Sequence, residues 1–196
     1  LDECLREAAE FINRAKRPVI LADVELHRHK LTPLMLDVAE TFRIPMAATL
    51  LSKSVVRETH PLYIGVYGGA TSEPACRKYV DNSDCVIMLG TFMTDMFLGV
   101  NTAKLSRQRS ILATTERMRV GLHNYDGVTF ADFLRGLRRC GLRKRPAFRN
   151  PNPAVEHKPL RASERQDPLS SDDVFRILTQ HLDENSVIVC DTGDAV

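Results

Sequence analysis

The sequence has no long apolar run, no marked excess of charge of one sign and no paired cysteine motif, and each absence excludes a class of protein. No run approaches the roughly 20 apolar residues that a membrane-spanning helix needs, so we expect no membrane association. The 27 Lys and Arg residues stand against 25 Asp and Glu residues. A formal net charge of +2 is too small for wholesale binding of nucleic acid or of an anionic membrane surface.

The cysteines form no CxxC pair and have no metal-like spacing with histidine, and their number, five, is odd. Reduced thiols and a cytoplasmic location are therefore expected. The chain starts at Leu1, and no basic segment followed by an apolar stretch opens it, so we expect no secretory signal. One local concentration of charge exists: residues 135–149 carry seven basic side chains and no acid. A solvated helix end leading into a linker is favoured over a nucleic-acid site.

Short apolar runs alternate with segments of helical spacing over residues 1–142. The runs are continuously apolar, which is typical of strands buried on both faces of a parallel sheet. The pattern predicts a doubly wound, mostly parallel α/β domain of the Rossmann-like kind over residues 1–142. Residues 23–30 and 50–71 are predicted to be connections. The predicted strands are 18–22, 44–49, 84–90, 110–114 and 127–130, and the predicted helices are 2–15, 32–42, 72–81 and 130–142.

Residues 143–168 contain five of the ten prolines in a polar background, which predicts an interdomain linker. Residues 169–196 then contain a helix that starts with a capping box at Ser170 and Asp173, and a strand over residues 187–190. One helix and one strand cannot bury their own apolar faces, so this tail is predicted to be the start of a second, truncated α/β domain.

Three groups of residues suggest sites. The turn Asp191–Asp194 follows a strand directly, where open α/β sheets bind ligands, and its glycine and backbone N–H groups suit a phosphate. Gly65, Gly68 and Gly69 do not fit a dinucleotide fingerprint, and a glycine-rich connection is favoured. The third group consists of alternating residues with metal-binding side chains: Asp23, Glu25, His27 and His29. In an extended segment they would point to one side and could hold a metal ion, although a charged surface loop is favoured.

The amino-acid sequence of several segments resembles that of the central domain of thiamine diphosphate-dependent 2-oxo acid decarboxylases. The likeness runs through residues 17–25, 44–45, 63–70, 83–90 and 94–95 and the loop around His123, and Asp191–Asp194 is similar to the start of the diphosphate-binding domain. Within the family, the indolepyruvate and phenylpyruvate decarboxylases are the most similar group. The resemblance also implies an ion pair between Glu25 and Arg28.

The resemblance implies that the parent enzyme converts an aromatic or similar 2-oxo acid to an aldehyde and carbon dioxide with thiamine diphosphate and Mg²⁺. Thr192, Gly193 and Asp194 would contact the cofactor. The activating glutamate and the Gly-Asp-Gly magnesium motif belong to parts of the family that these 196 residues do not contain, and no Gly-Asp-Gly occurs in the sequence. The fragment is therefore expected to be inactive, to bind no cofactor tightly, and to have the remaining N- and C-terminal domains and further copies of itself as partners.

Two hypotheses of other classes remain open. The first domain could be a nucleotide-binding or regulatory module whose ligand lies at the carboxyl ends of the strands. Alternatively, it could be a structural interface domain that self-associates through residues 67–70 and a methionine-rich segment. That segment contains Met88, Phe92, Met93, Met96, Phe97 and Leu98.

Overall fold

The computed structural model describes residues 1–92, 102–153, 168–183 and 185–189. The chain divides into two compact units, Leu1–Pro153 and Ala154–Val196. The first unit contains strands β1 (Pro18–Ala22), β2 (Met46–Ala48), β3 (Tyr63–Val66), β4 (Cys85–Leu89), β5 (Ser110–Ala113), β6 (Met118–Val120) and β7 (His123–Tyr125). Its helices are α1 (Asp2–Arg14), α2 (Val24–Arg28), α3 (Thr32–Phe42), α4 (Pro74–Asp81) and α5 (Phe130–Leu137).

The strands form one seven-stranded sheet in the order β3-β2-β1-β4-β5-β6-β7. The first five strands are parallel, and β6 and β7 extend the sheet as antiparallel strands. The chain runs from β1 through β2 to β3 at one edge of the sheet, and then crosses back to β4 on the other side of β1. This is a doubly wound arrangement, and it confirms the predicted fold class.

Both faces of the sheet are covered, which explains why its strands read as unbroken apolar runs. On β1, Ile20 packs with the side chains of α1, α3 and α5, whereas Val19 and Leu21 pack with α4. All five residues of β1 and all five of β4 are buried. Successive side chains of a strand point to opposite faces, so a strand with helices on both sides needs an apolar residue at every position.

Four parts of the first unit differ from the sequence prediction. Residues 50–71 contain β3, and residues 23–30 contain the short helix α2, so neither segment is only a connection. The hairpin β6–β7 was not predicted, because each strand has only three residues and β7 is exposed. The strand predicted at 127–130 is wrong: Thr129 is the N-cap of α5, and its side chain accepts a hydrogen bond from the Asp132 N–H.

Residues 143–153, the start of the predicted linker, pack against the first unit. The Arg145 guanidinium donates from Nη1 to the carbonyl of Ala15 at 2.5 Å and from Nη2 to the carbonyl of Ile12, at the end of α1. The Arg145 backbone N–H donates to the Phe42 carbonyl at the end of α3. A cation bound to the last carbonyls of a helix satisfies free acceptors and opposes the negative end of the helix dipole.

The same segment covers one edge of the sheet. The side-chain amides of Asn150 and Asn152 donate to the main-chain carbonyls of Tyr63 at 2.6 Å and Ile64 at 3.0 Å, both on the edge strand β3. Gly65 has φ +117°, and a Cβ there would lie 3.1 Å from Asn152 Nδ2. The glycine therefore permits the close approach of the segment to β3.

In the second unit, the described residues contain helix α6 (Ser171–His181). The predicted capping box is present: the Ser170 side chain accepts from the Asp173 N–H, and the Asp173 side chain accepts from the Ser170 N–H. Residues 187–189 form no strand and are exposed, so the predicted strand is not formed in its described part. Within the described residues, no helix combines the length and the apolar character needed to cross a membrane.

Replacing Arg145 with Met is expected to lower the free energy of unfolding by about 1–3 kcal/mol, because two carbonyls at the end of α1 lose a charged donor. Urea unfolding followed by circular dichroism measures the change. Arg149→Met is the matched control, since Arg149 is exposed and its replacement should cost less than about 0.5 kcal/mol. Equal losses in the two variants would contradict this role for Arg145.

Candidate functional site

The site predicted from the sequence, Thr192, Gly193 and Asp194, lies outside the described residues, so its contact with a cofactor stays a prediction. The described candidate is the carboxyl edge of the sheet in the first unit. There the crevice between β1 and β4 is the switch point at which open α/β sheets bind ligands. Asp23 follows β1 at this point, and Gly90, Thr91 and Phe92 follow β4.

The Asp23 carboxylate accepts hydrogen bonds from groups that follow three neighbouring strands, and we call this arrangement the Asp23 cluster. Oδ1 accepts from the Val24 N–H at 2.7 Å and from the Thr49 hydroxyl at 2.5 Å. Oδ2 accepts from the Phe92 N–H at 2.8 Å. Thr49 follows β2 and Phe92 follows β4, so one side chain joins the ends of β1, β2 and β4. Asp23 is fully buried.

Burial raises the pKa of the Asp23 carboxyl above its ordinary value. The hydrogen bonds from Thr49, Phe92 and Val24 act in the opposite direction, because they stabilise the charged form, but burial is the larger effect. The neighbouring Glu25 also raises the pKa slightly. A buried carboxyl that accepts three hydrogen bonds from groups at the ends of three strands serves to hold those strand ends together.

Helix α2 covers the end of β4, so the crevice is filled. Gly90 has φ +68°, and a Cβ there would lie 2.8 Å from the Glu25 Cβ and 3.1 Å from the Leu26 backbone nitrogen. Only glycine combines this backbone conformation with so close an approach. In a nucleotide-binding sheet, this place receives a phosphate at the start of a helix. Here the Asp23 carboxyl and α2 occupy it, and the described residues do not fit a diphosphate.

Glu25 binds across the sheet, not along its own helix. Its Oε2 accepts from the Thr115 N–H at 2.8 Å and its Oε1 accepts from the Thr115 hydroxyl at 2.9 Å. Thr115 lies in the turn between β5 and β6, so the contact fixes α2 to that turn. The ion pair expected between Glu25 and Arg28 is therefore wrong: Arg28 is exposed, and the Glu25 partner in the described residues is Thr115.

The metal hypothesis for residues 23–29 is not supported in the described residues. The segment is helical, Asp23 is buried under it, and His27 and His29 are exposed. Across the described part of the chain, no three His, Cys, Asp or Glu residues are placed so that they could hold a metal ion. The structure agrees with the favoured interpretation, a charged surface segment.

Sequence reasoning did not identify Thr49, Gly90 and Thr115 as parts of this edge. A signal for the first two was present, because Thr49 and Gly90 are the last residues of predicted strands, Asp23 follows another, and parallel strands end at a common edge. Thr115 could not be placed, because its position depends on the unpredicted hairpin β6–β7.

The described residues also include Thr91, whose buried hydroxyl has no hydrogen-bond partner.

Replacing Asp23 with Ala is expected to lower the free energy of unfolding by about 3 kcal/mol, because the Thr49 hydroxyl and the Phe92 N–H lose their acceptor in a buried place. Asp37→Ala is the matched control: Asp37 forms an exposed ion pair with Arg138, and its loss should cost less than about 1 kcal/mol. Urea unfolding at neutral pH separates the two. A loss below 1 kcal/mol for Asp23→Ala would contradict the role of the cluster.

The same variant tests the pKa. Because folding raises the pKa of Asp23, the part of the stability that depends on protonation of this carboxyl is complete below the unfolded-state pKa of about 4 and is lost as the pH rises through the folded-state pKa. The loss of the hydrogen bonds of the cluster is a separate effect, measured at neutral pH. Asp23→Ala should remove this fall from the pH profile of stability, whereas Asp37→Ala should retain it.

The comparisons with known proteins agree on one family. Residues 5–128 match the family model described as thiamine pyrophosphate enzyme, central domain. Pyruvate decarboxylase 4 of Arabidopsis thaliana is 28% identical over 202 residues, which cover 100% of this chain and 33% of that protein. Pyruvate decarboxylase 1 of Pisum sativum is 27% identical and covers 100% of this chain and 33% of its own length. The chain thus spans about a third of these relatives.

A solved structure, the benzoylformate decarboxylase from Polynucleobacter necessarius, has a TM-score of 0.66 and 15% sequence identity, over 95% of this chain and 35% of that one. At this identity the likeness shows the fold. The family match and the decarboxylase relatives confirm the resemblance drawn from the sequence. The chain belongs to the thiamine pyrophosphate enzyme family, and residues 5–128 match the central domain of that family.

Proposed function

We propose that these residues are the central domain and the start of the diphosphate-binding domain of a cytoplasmic, homo-oligomeric 2-oxo acid decarboxylase of the indolepyruvate or phenylpyruvate type. The proposed parent enzyme uses thiamine diphosphate and Mg²⁺. The observation that carries the proposal is the closed carboxyl edge of a sheet from this family. A domain that fills its own ligand crevice acts as a scaffold, and the chemistry belongs to other parts of the enzyme.

The described residues support a scaffold role, because their thiols are not poised to react. Burial raises the pKa of Cys4 to about 11 and the pKa of both Cys76 and Cys85 to about 12. A thiol is nucleophilic only as the thiolate, so these three are inert at neutral pH. They are packing residues of the two apolar cores.

The cofactor would be held outside the first unit. We assign Thr192, Gly193 and Asp194 to it, since their turn follows a strand-like sequence and offers backbone N–H groups and a hydroxyl. When bound, thiamine diphosphate supplies the electron sink for decarboxylation. The sequence has no Gly-Asp-Gly, so the Mg²⁺ ligands would come from a further part of the enzyme.

The second unit supports the proposed partners, the remaining domains of the same chain. Val174, Phe175 and Leu178 of α6 are each between 42% and 51% exposed, and Val187 and Val189 are still more exposed. An apolar helix face of this size is stable in water only when another surface covers it. We propose that the rest of the diphosphate-binding domain covers it.

The 196-residue chain is expected to release no aldehyde from phenylpyruvate or indolepyruvate and to bind thiamine diphosphate more weakly than micromolar with Mg²⁺ present. A coupled alcohol dehydrogenase assay and isothermal titration calorimetry measure the two properties. The matched sample is the protein expressed with its flanking coding sequence, in which activity should appear and Asp194→Ala should reduce it. Turnover by the 196-residue chain itself would contradict the proposal, as would inactivity of the longer protein.

The nucleotide-binding alternative makes a different prediction for the same chain. Because Asp23 and α2 fill the switch point, ADP, NAD and FAD at 1 mM should each shift the melting temperature by less than about 1 °C. A rise of several degrees that Asp23→Ala abolishes would favour that alternative over the scaffold.

The interface hypothesis needs a correction. Tyr67, Gly68 and Gly69 are buried, so within residues 67–70 only Ala70 is exposed. Met88 is buried in β4, and Phe92 is 57% exposed. Met93, Met96, Phe97 and Leu98 lie outside the described residues. Residues 67–70 therefore do not form the exposed surface that this hypothesis assumed, because the tyrosine and glycines belong to the interior of the first unit.

A further inference from the structure

A cavity of about 370 Å³ lies in the first unit beside α4, away from the Asp23 cluster. Helix α4 supplies one wall through Pro74, Arg77, Lys78 and Asp81. Their spacing of three, four and seven residues places them on one face of the helix. The lining is completed by Ala70, Ser72, Asn82 and Lys104.

A buried tyrosine links helix α4 to the segment that contains Lys104, on which the cavity also borders. The Tyr67 hydroxyl donates to Asp81 Oδ1 at 2.7 Å and accepts from the Lys104 N–H at 3.2 Å. Tyr67 is only 1% exposed, so its ring is fixed by packing. The Ala70 N–H donates to the Thr102 hydroxyl at 2.7 Å, which ties the segment before Lys104 to the turn before α4. The cavity is therefore built by tertiary contacts and does not depend on surface side chains alone.

The charges around this cavity are unbalanced towards positive. Asp81, its one acid, is already engaged by Tyr67 and by Arg77, whose Nε lies 3.4 Å from Asp81 Oδ2. Lys78 and Lys104 are exposed, and no carboxylate of the described residues lies within ion-pair distance of either. Lys78 belongs to α4 and Lys104 to the segment before β5, and within the described residues neither ammonium group has a carboxylate partner.

A further cation lies next to the cavity. The Arg109 guanidinium donates from Nη1 to the carbonyls of Asp81 and Ser83, and from Nη2 to the carbonyl of Lys104. All of these acceptors are neutral, so the Arg109 charge adds to the positive potential at this place. An anion that enters between the walls meets two free ammonium groups and a nearby guanidinium.

We propose that this cavity binds a compact phosphate group, either free phosphate or the phosphoryl end of a small metabolite, between Lys78 and Lys104. The volume is at the lower end of the range for small-molecule pockets. Lysine binds phosphate as a point charge from a flexible stem, which suits two exposed ammonium groups that border the same cavity. The proposal concerns a binding site only and does not depend on the decarboxylase proposal.

Isothermal titration of the 196-residue chain with inorganic phosphate, at low ionic strength and constant chloride, tests the site. Saturable binding with a stoichiometry of one is expected. Lys78→Gln with Lys104→Gln should weaken it by at least about tenfold. The matched control is Lys53→Gln with Lys144→Gln, which removes the same charge from two exposed lysines that do not line the cavity and should weaken binding by less than about twofold.

Tyr67→Phe keeps the buried ring and removes the hydroxyl that joins Asp81 and Lys104. It should weaken phosphate binding while leaving the circular dichroism spectrum unchanged. Titration with glucose 6-phosphate separates the two sources of the group, since a pocket for free phosphate excludes the sugar and one for a phosphoryl end accepts it; both results support the site. Equal weakening in the control pair, absence of saturable binding below about 10 mM, or equally tight binding of malonate would each overturn the proposal.

Discussion

The carboxyl group of Asp23 joins the ends of three neighbouring strands, and the geometry of the sheet edge depends on it. Its two oxygens accept from the main chain after β1, the hydroxyl after β2 and the main chain after β4. Asp23 and Thr49 are buried, so their hydrogen bond lies in the interior of the first unit. Closing the edge in this way gives a rigid sheet and removes the crevice that nucleotide-binding relatives of the fold use.

This closure explains how a Rossmann-like sheet of the thiamine pyrophosphate enzyme family can lack the open crevice of a nucleotide-binding sheet. In other proteins this chain topology forms a phosphate site, whereas here it connects the strand ends through hydrogen bonds. The difference comes from one acidic residue, Asp23, and one glycine, Gly90. With Asp23 inside and Gly90 permitting α2 to approach, the carboxyl edge becomes part of the core. The fold alone would have suggested a nucleotide, whereas the side chains at the edge do not.

The sequence was sufficient for four of the five parallel strands, but not for the parallel edge strand β3 or for the antiparallel hairpin β6–β7. Strands β1 and β4 are buried on both faces, so their unbroken apolar runs identified them. The hairpin β6–β7 has three-residue strands, and its exposed strand β7 carries polar side chains, so no period of hydrophobicity marks it. Residues 127–130 read as a strand, yet Thr129 accepts from the Asp132 N–H, and this cap starts a helix instead. The ion pair between Glu25 and Arg28 was expected from the family resemblance, whereas the fold brings Glu25 to Thr115.

The segment after α5 has a consequence for how the sheet ends. Asn150 and Asn152 place side-chain amides where a neighbouring strand would otherwise donate, on the carbonyls of Tyr63 and Ile64. An uncovered strand of this kind is a template for pairing with another polypeptide, and proteins commonly protect such strands. The two asparagines thus prevent a further strand from pairing with the edge strand β3. A chain cut just before Asn150 would keep its core and yet present a row of free acceptors on which other molecules could add strands.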